Sequence, residues 1–144
     1  MIENVGYLDQ TKNVITDDDF EYKTASFAVS NETPLSSLSD NFCVYNKFYC
    51  LLNGTMWVKG GTFQGNTVIL KLPVNPLYKM SFFADREYNN LDAEYEKMPI
   101  CSHTTIIVET DGTLKLLAQT TLKEQERLAF NFVIPLSQNQ NGGR

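Results

Sequence analysis

Apolar residues recur along this chain at alternate positions, with turn residues between the runs, which is the signature of half-buried strands. Phe42-Cys43-Val44-Tyr45-Asn46-Lys47-Phe48 and Tyr49-Cys50-Leu51-Leu52 read as strands. Asn53-Gly54 then reads as a turn or bulge, and Thr55-Met56-Trp57-Val58 resumes the strand pattern. Gly60-Gly61 and Gly65-Asn66 punctuate the chain as hairpin turns before Thr67–Leu72, where Val68, Leu70 and Leu72 share a face. Pro73 and Pro76 end that strand, because proline donates nothing to a ladder. Tyr78–Ala84 is the next strand, and Asp85 to Met98 reads as an exposed polar loop with a helical turn at Asp92 to Lys97. Thr104–Glu109 and Thr113–Ala118 flank Asp111-Gly112, the strongest hairpin signal. Leu128–Leu136 closes the set, with Phe130, Phe132 and Ile134 on one face, and Leu122 to Leu128 is the one helical-looking piece. The core expected from these faces is Val68, Leu70, Leu72, Phe130, Phe132 and Ile134.

About six short strands with frequent turns predict an all-β chain, a small antiparallel sandwich or barrel. Three segments follow: an extended N-terminal attachment arm at 1–41, a β head at 42–136 and a frayed tail at 137–144. The arm holds only scattered anchors, among them Val14-Ile15 and Ala25–Val29, too little apolar surface to offset its ordering entropy. It is therefore expected to order against neighbouring subunits, while the head folds without it.

Charge sharpens that division. Of the 144 residues, 1–41 hold eight acids and two bases, a net of −6, and 42–144 hold nine acids and ten bases, a net of +1. No basic face for nucleic acid and no polybasic patch for anionic lipid is present. No apolar run approaches the ~20 residues of a membrane span, and Met1 to Phe20 lack the regions of a signal peptide. Cys43, Cys50 and Cys101 cannot all pair within one chain. They read as buried reduced thiols of a protein made in a cytosol, the other reading being a Cys43–Cys101 or Cys50–Cys101 bridge.

Candidate chemistry is sparse. His103 is the only histidine, and its neighbour Ser102 is not a nucleophile elbow. Asp92, Glu94 and Glu96, and the triplet Asp17-Asp18-Asp19, read as solvated acids, lacking the rigidity of a glycosidase pair and the glycine and distal Glu of a calcium loop. The glycines lack phosphate-loop spacing. No catalytic residue, cofactor or metal is therefore assigned, and the chain is read as a non-enzyme. Aromatic residues carry more. Trp57, Tyr45, Tyr49, Tyr78, Tyr88 and Tyr95 include several opposite the core face. Tyr88, Asn89, Asn90, Asp92 and Tyr95 share one polar loop with saccharide-binding chemistry: rings to stack on C–H surfaces, amides and a carboxylate for hydroxyls. The competing reading of such aromatics is a subunit interface.

From Tyr45 to Leu136 the order of pieces resembles the head domains that end phage tail-fibre and receptor-binding proteins. Asn46–Val58 resembles their opening strand-glycine-strand, and Ile69-Leu70-Lys71-Leu72-Pro73 followed by Asn75-Pro76 their proline step. Ile106–Leu114 resembles their Asp-Gly hairpin and Phe130–Leu136 their closing strand. The resemblance implies a homotrimeric β head on a virion, bound to other virion proteins through residues 1–41 and adsorbing to host-surface carbohydrate. A shaft is missing here, so a short fibre, decoration or baseplate subunit fits better. The alternative is a soluble carbohydrate-binding module without a virion role.

Overall fold

The computed structural model describes residues 16–88, 102–124 and 126–138. A 3-10 turn at Asp17–Phe20 is followed by eleven strands, β1 Lys23–Thr24, β2 Leu35–Leu38, β3 Cys43–Tyr45, β4 Tyr49–Val58, β5 Gly61–Phe63, β6 Val68–Lys71, β7 Met80–Tyr88, β8 His103–Val108, β9 Thr113–Leu116, β10 Thr120–Leu122 and β11 Glu126–Pro135. Nine form one antiparallel sheet in the order β1-β3-β4-β11-β7-β8-β9-β6, with β2 also on β4; β5 and β10 pair separately. The sheet curls into a half-barrel, as expected of an all-β chain. The Val14-Ile15 anchor, the Asp92–Lys97 turn, Cys101 and residues 139–144 of the tail lie outside the described residues.

The sheet is two curved halves that share one short seam. β11 pairs with β4 along its whole length, from Arg127 opposite Trp57 to Pro135 opposite Tyr49. Its other edge meets β7 only over Glu126–Ala129. Beyond Ala129 the two strands splay, and aromatic rings fill the gap: Phe82 stacks on Phe132 with centroids 4.2 Å apart, and Phe130 lies 5.0 Å from both Phe132 and Phe42. The chain after β6 returns to the far end of β11 through a Pro76–Leu136 bridge, with Leu77 N donating to Pro135 O at 2.8 Å. The trough so enclosed holds Leu52, Met56, Ile106, Leu114, Leu116, Leu128 and Ile134, all fully buried.

Most of the expected faces are found. Leu70, Leu72, Phe130, Phe132 and Ile134 are buried, but Val68 is 45% exposed. A bulge between Val68 and Leu70 sets two steps of β6 against one of β9, so Ile69 turns inward and Val68 outward. The helical reading of Leu122–Leu128 is also corrected. Leu122 ends β10, a turn closes from Glu126 N to Lys123 O at 2.9 Å, and Leu128 already lies in β11. Asn53-Gly54 is no turn either, because β4 runs straight through it. Gly54, at φ +128°, makes room for the chain passing from β2 to β3; a Cβ there would sit 2.0 Å from Ser39 Oγ, which accepts from Thr55 N. The turn lies earlier, where Asn46 Oδ1 accepts from Phe48 N and Tyr49 N at 2.8 and 2.9 Å and divides β3 from β4. Gly65-Asn66 is a turn as expected, whereas Gly61 opens β5.

Part of the segment read as an arm is built into the sheet. β1 pairs with β3, β2 pairs with β4, and Leu35 is 1% exposed. Cys43 and Cys50 are buried free thiols with Sγ atoms 3.6 Å apart. Their shared hydrogen bond lowers the pKa of Cys43 and raises that of Cys50, which burial raises further.

The Asp111-Gly112 hairpin forms as expected. Gly112 N donates to Glu109 O, Glu109 N donates to Thr113 O, and a Cβ on Gly112 (φ +91°) would strike Val74 O at 2.7 Å. Lys115, 2.9 Å away, and Lys79, at 3.3 Å, hold the Glu109 carboxyl below its usual range. The Thr113 N–H does the same for Asp111.

Replacing Phe132 with Ala is expected to cost about 3–5 kcal/mol in a denaturant titration, and Val68 with Ala less than about 1 kcal/mol. A loss below about 1 kcal/mol at Phe132 would mean that its face is not the core. The lowered carboxyls of Glu109 and Asp111 contribute stability that is complete above their ordinary values of 4.5 and 3.8 and fades as pH falls through their lower folded values. Melting temperature is therefore expected to drop below about pH 4.5, and less steeply in Glu109→Gln than in the parent. Superimposable profiles would remove the Lys115–Glu109 pair from the account.

Candidate functional site

Of the loop residues expected to contact saccharide, Asn89, Asn90, Asp92 and Tyr95 lie outside the described residues, as do Glu94 and Glu96. Tyr88 is placed by its backbone as the last residue of β7, opposite Glu126. The other aromatics divide: Tyr49 and Tyr78 are exposed, Tyr45 packs on the core, and Trp57 is half-buried with the Arg127 guanidinium 5.4 Å from its centroid.

Close to the root of that loop, the described residues form a cleft of about 330 Å³. Its origin is a missing strand partner. β9 pairs with β8 only at Ile106–Val108; Leu117 N then donates to Thr105 O at 3.1 Å, and the chain departs to form β10 on β5. His103–Thr105 are left as a bare edge facing Leu117–Thr121, with Arg86 between them. Arg86 N donates to Ser102 O at 3.0 Å, so the site is tied to the base of the β7–β8 connection.

Arg86 is held firmly. Its Nε and Nη2 bind the two oxygens of Glu126, the latter at 2.9 Å, and Nη2 also reaches Thr121 O at 2.8 Å. Glu126 is fully buried and accepts a further bond from Lys123 N at 2.9 Å. A carboxylate this deep is tolerated only when paired and hydrogen-bonded. The grip leaves Nη1 of Arg86 as the one guanidinium nitrogen without a partner among the described residues.

Other polar groups in the cleft are also unspent. Thr104 is 5% exposed, and its hydroxyl is buried with no hydrogen-bond partner. The hydroxyls of Thr120 and Thr121 are taken, by Ala118 O and Thr62 respectively, both at 2.9 Å. His103 is exposed, and its ring rests against Phe83 with centroids 4.4 Å apart; Phe83 is 66% exposed. These two rings lie on the opposite face of the β7–β8 ladder from Arg86 and Thr104, and Leu117, at 55%, supplies the exposed apolar surface of the cleft. The arrangement offers donors and acceptors at its floor and flat apolar surface at its edge. Among the described residues, no three His, Cys, Asp or Glu side chains converge as metal ligands.

Sequence reasoning singled out His103 but missed Arg86, Thr104 and Glu126. Arg86 and Glu126 stand 40 residues apart and read singly as ordinary surface charges. A period-two reading of β11 extended back from Leu128 places Glu126 on the core face, a signal that a charged residue there needs a partner. The chain matches no protein family model, no curated protein and no solved structure.

An unpartnered buried hydroxyl is a local cost, so Thr104→Val is expected to hold or raise stability by about 1 kcal/mol, read by chemical denaturation. Glu126→Ala strands Arg86 and is expected to lose about 3–5 kcal/mol. A Thr104→Val variant that loses more than about 1 kcal/mol would show that the hydroxyl is bonded.

Proposed function

We propose that this chain is a non-enzymatic recognition head of a phage virion, assembled with copies of itself as a trimer, that holds a host-surface saccharide in the cleft beside Arg86. The observation that carries the reading is the set of unspent polar groups, Arg86 Nη1 and the Thr104 hydroxyl, in a cleft rimmed by the exposed Leu117. Saccharides use both chemistries, hydrogen bonds for hydroxyls and apolar surface for C–H faces.

Assembly is supported by the outer face of β3, β4 and β11. Val44 lies opposite Leu51, Leu51 opposite Val133, and Tyr49 opposite Pro135. Val133 is 53% and Tyr49 49% exposed. An outward sheet face is ordinarily polar. A charge-free apolar patch suits association with copies of a chain whose net charge is −5. Such a face favours a virion subunit over the runner-up, a free-standing carbohydrate-binding module.

Purified protein on a glycan array is expected to bind a restricted set of glycans, and Thr104→Val to weaken that binding about tenfold, the scale of one lost hydrogen bond. Light scattering is expected to give a trimer that Val133→Glu dissociates. A blank array defeats the recognition reading, and a monomeric parent defeats the assembly reading.

A further inference from the structure

The cleft carries one permanent cation among its described lining residues, Arg86, and Glu126 already neutralises it. Asp85, exposed and opposite His103 across the β7–β8 ladder, projects from the other face of β7 and adds no charge to the cleft. On the other face Arg127 is committed to Glu87, Nε to Oε2 at 2.6 Å. An anionic group entering the cleft would have to share Arg86 with a buried carboxylate that cannot move away, because Arg86 and Lys123 N both hold it. Like charges around one cation in a desolvated site repel strongly. Neutral hydroxyls meet no such opposition. One accepts from Arg86 Nη1 in a charge-assisted bond, and another satisfies the Thr104 hydroxyl after its side chain turns toward the cleft.

We infer that the cleft selects neutral, hydroxyl-rich sugars and rejects their carboxylated counterparts, with Arg86 Nη1 and the Thr104 hydroxyl as the polar contacts and Glu126 as the residue that sets the selectivity. The inference rests on the reading of the cleft as a saccharide site. Glu126 acts through Arg86 and touches no ligand itself, so it is a positioning residue.

The test uses matched sugars that differ in one group. Methyl glycosides of galactose, glucose and mannose are titrated into the full chain by NMR, each beside its hexuronic counterpart, in which the C6 alcohol is a carboxylate. The neutral member of whichever pair binds is expected to be at least about tenfold tighter, since one uncompensated charge in a desolvated site costs that much or more. Thr104→Val is expected to weaken that neutral sugar about tenfold without lowering the melting temperature below the parent's. Glu126→Gln, which frees Arg86, is expected to narrow or reverse the preference. If Glu126→Gln does not fold, the parent's neutral-to-acid ratio and the Thr104→Val titration decide the matter. Equal or tighter binding of the acidic member overturns the inference and leaves saccharide recognition standing. Undiminished binding by Thr104→Val overturns the contact assignment. Silence from every pair, together with a blank glycan array, removes both the inference and the reading beneath it.

Discussion

The two halves of the half-barrel meet at a seam four residue pairs long, Glu126–Ala129 against Tyr88–Asp85. So short a ladder is weak by itself, and it is clamped on both faces. Arg86 and Glu126 bridge β7 and β11 on the inside, while Glu87 and Arg127 do so on the outside beneath Trp57. The inner pair also fixes register. A slip of one residue would send Glu126 outward to water and bring Arg127 into the trough, exchanging a satisfied buried carboxylate for a guanidinium without its partner. The ion pair therefore matters more for specifying one alignment than for net stability.

The cleft follows from the same junction. The chain that crosses from β9 to β11 cannot continue along β8, because it must first reach the seam. It leaves at Leu117, pairs briefly as β10 with β5, and turns at Lys123–Glu126 into β11. This detour bares the edge of His103–Thr105 and brings Thr121 O to Arg86. One residue, Arg86, thus joins the sheet halves and floors the cleft, with a single guanidinium nitrogen unpartnered among the described residues.

What could be read from sequence was whatever obeys local periodicity. Phe130, Phe132 and Ile134 alternate without interruption, and their burial follows. Asp111-Gly112 needs a left-handed residue at one place, and the chain supplies glycine. Legibility fails where the backbone departs from the period or where partners are remote. The bulge at Ile69 inverts the reading of Val68. The Leu122–Leu128 spacing mimics a helix although its two leucines belong to different strands. Arg86 and Thr104 belong to the cleft through a detour that begins at Leu117, thirteen residues after Thr104 and thirty-one after Arg86, which no local pattern encodes. The polar stretch from Asp85 to Met98 is distinctive in composition, but from residue 89 on it lies outside the described residues, and the cleft is built from Arg86 and residues of β8 and the chain that follows β9.

β11 is the strand on which most of the others depend, and it comes last among the described strands. A nascent chain leaving the ribosome therefore carries β4 and β7 with their inner edges unpaired until β11 has been made. Edges of that kind invite pairing with neighbouring chains, a hazard multiplied when several copies emerge from one polysome. Closure is then non-local, since β4 must wait for a strand about seventy residues later. Such an order of synthesis holds closure back until β11 can enter between β4 and β7 in a single step.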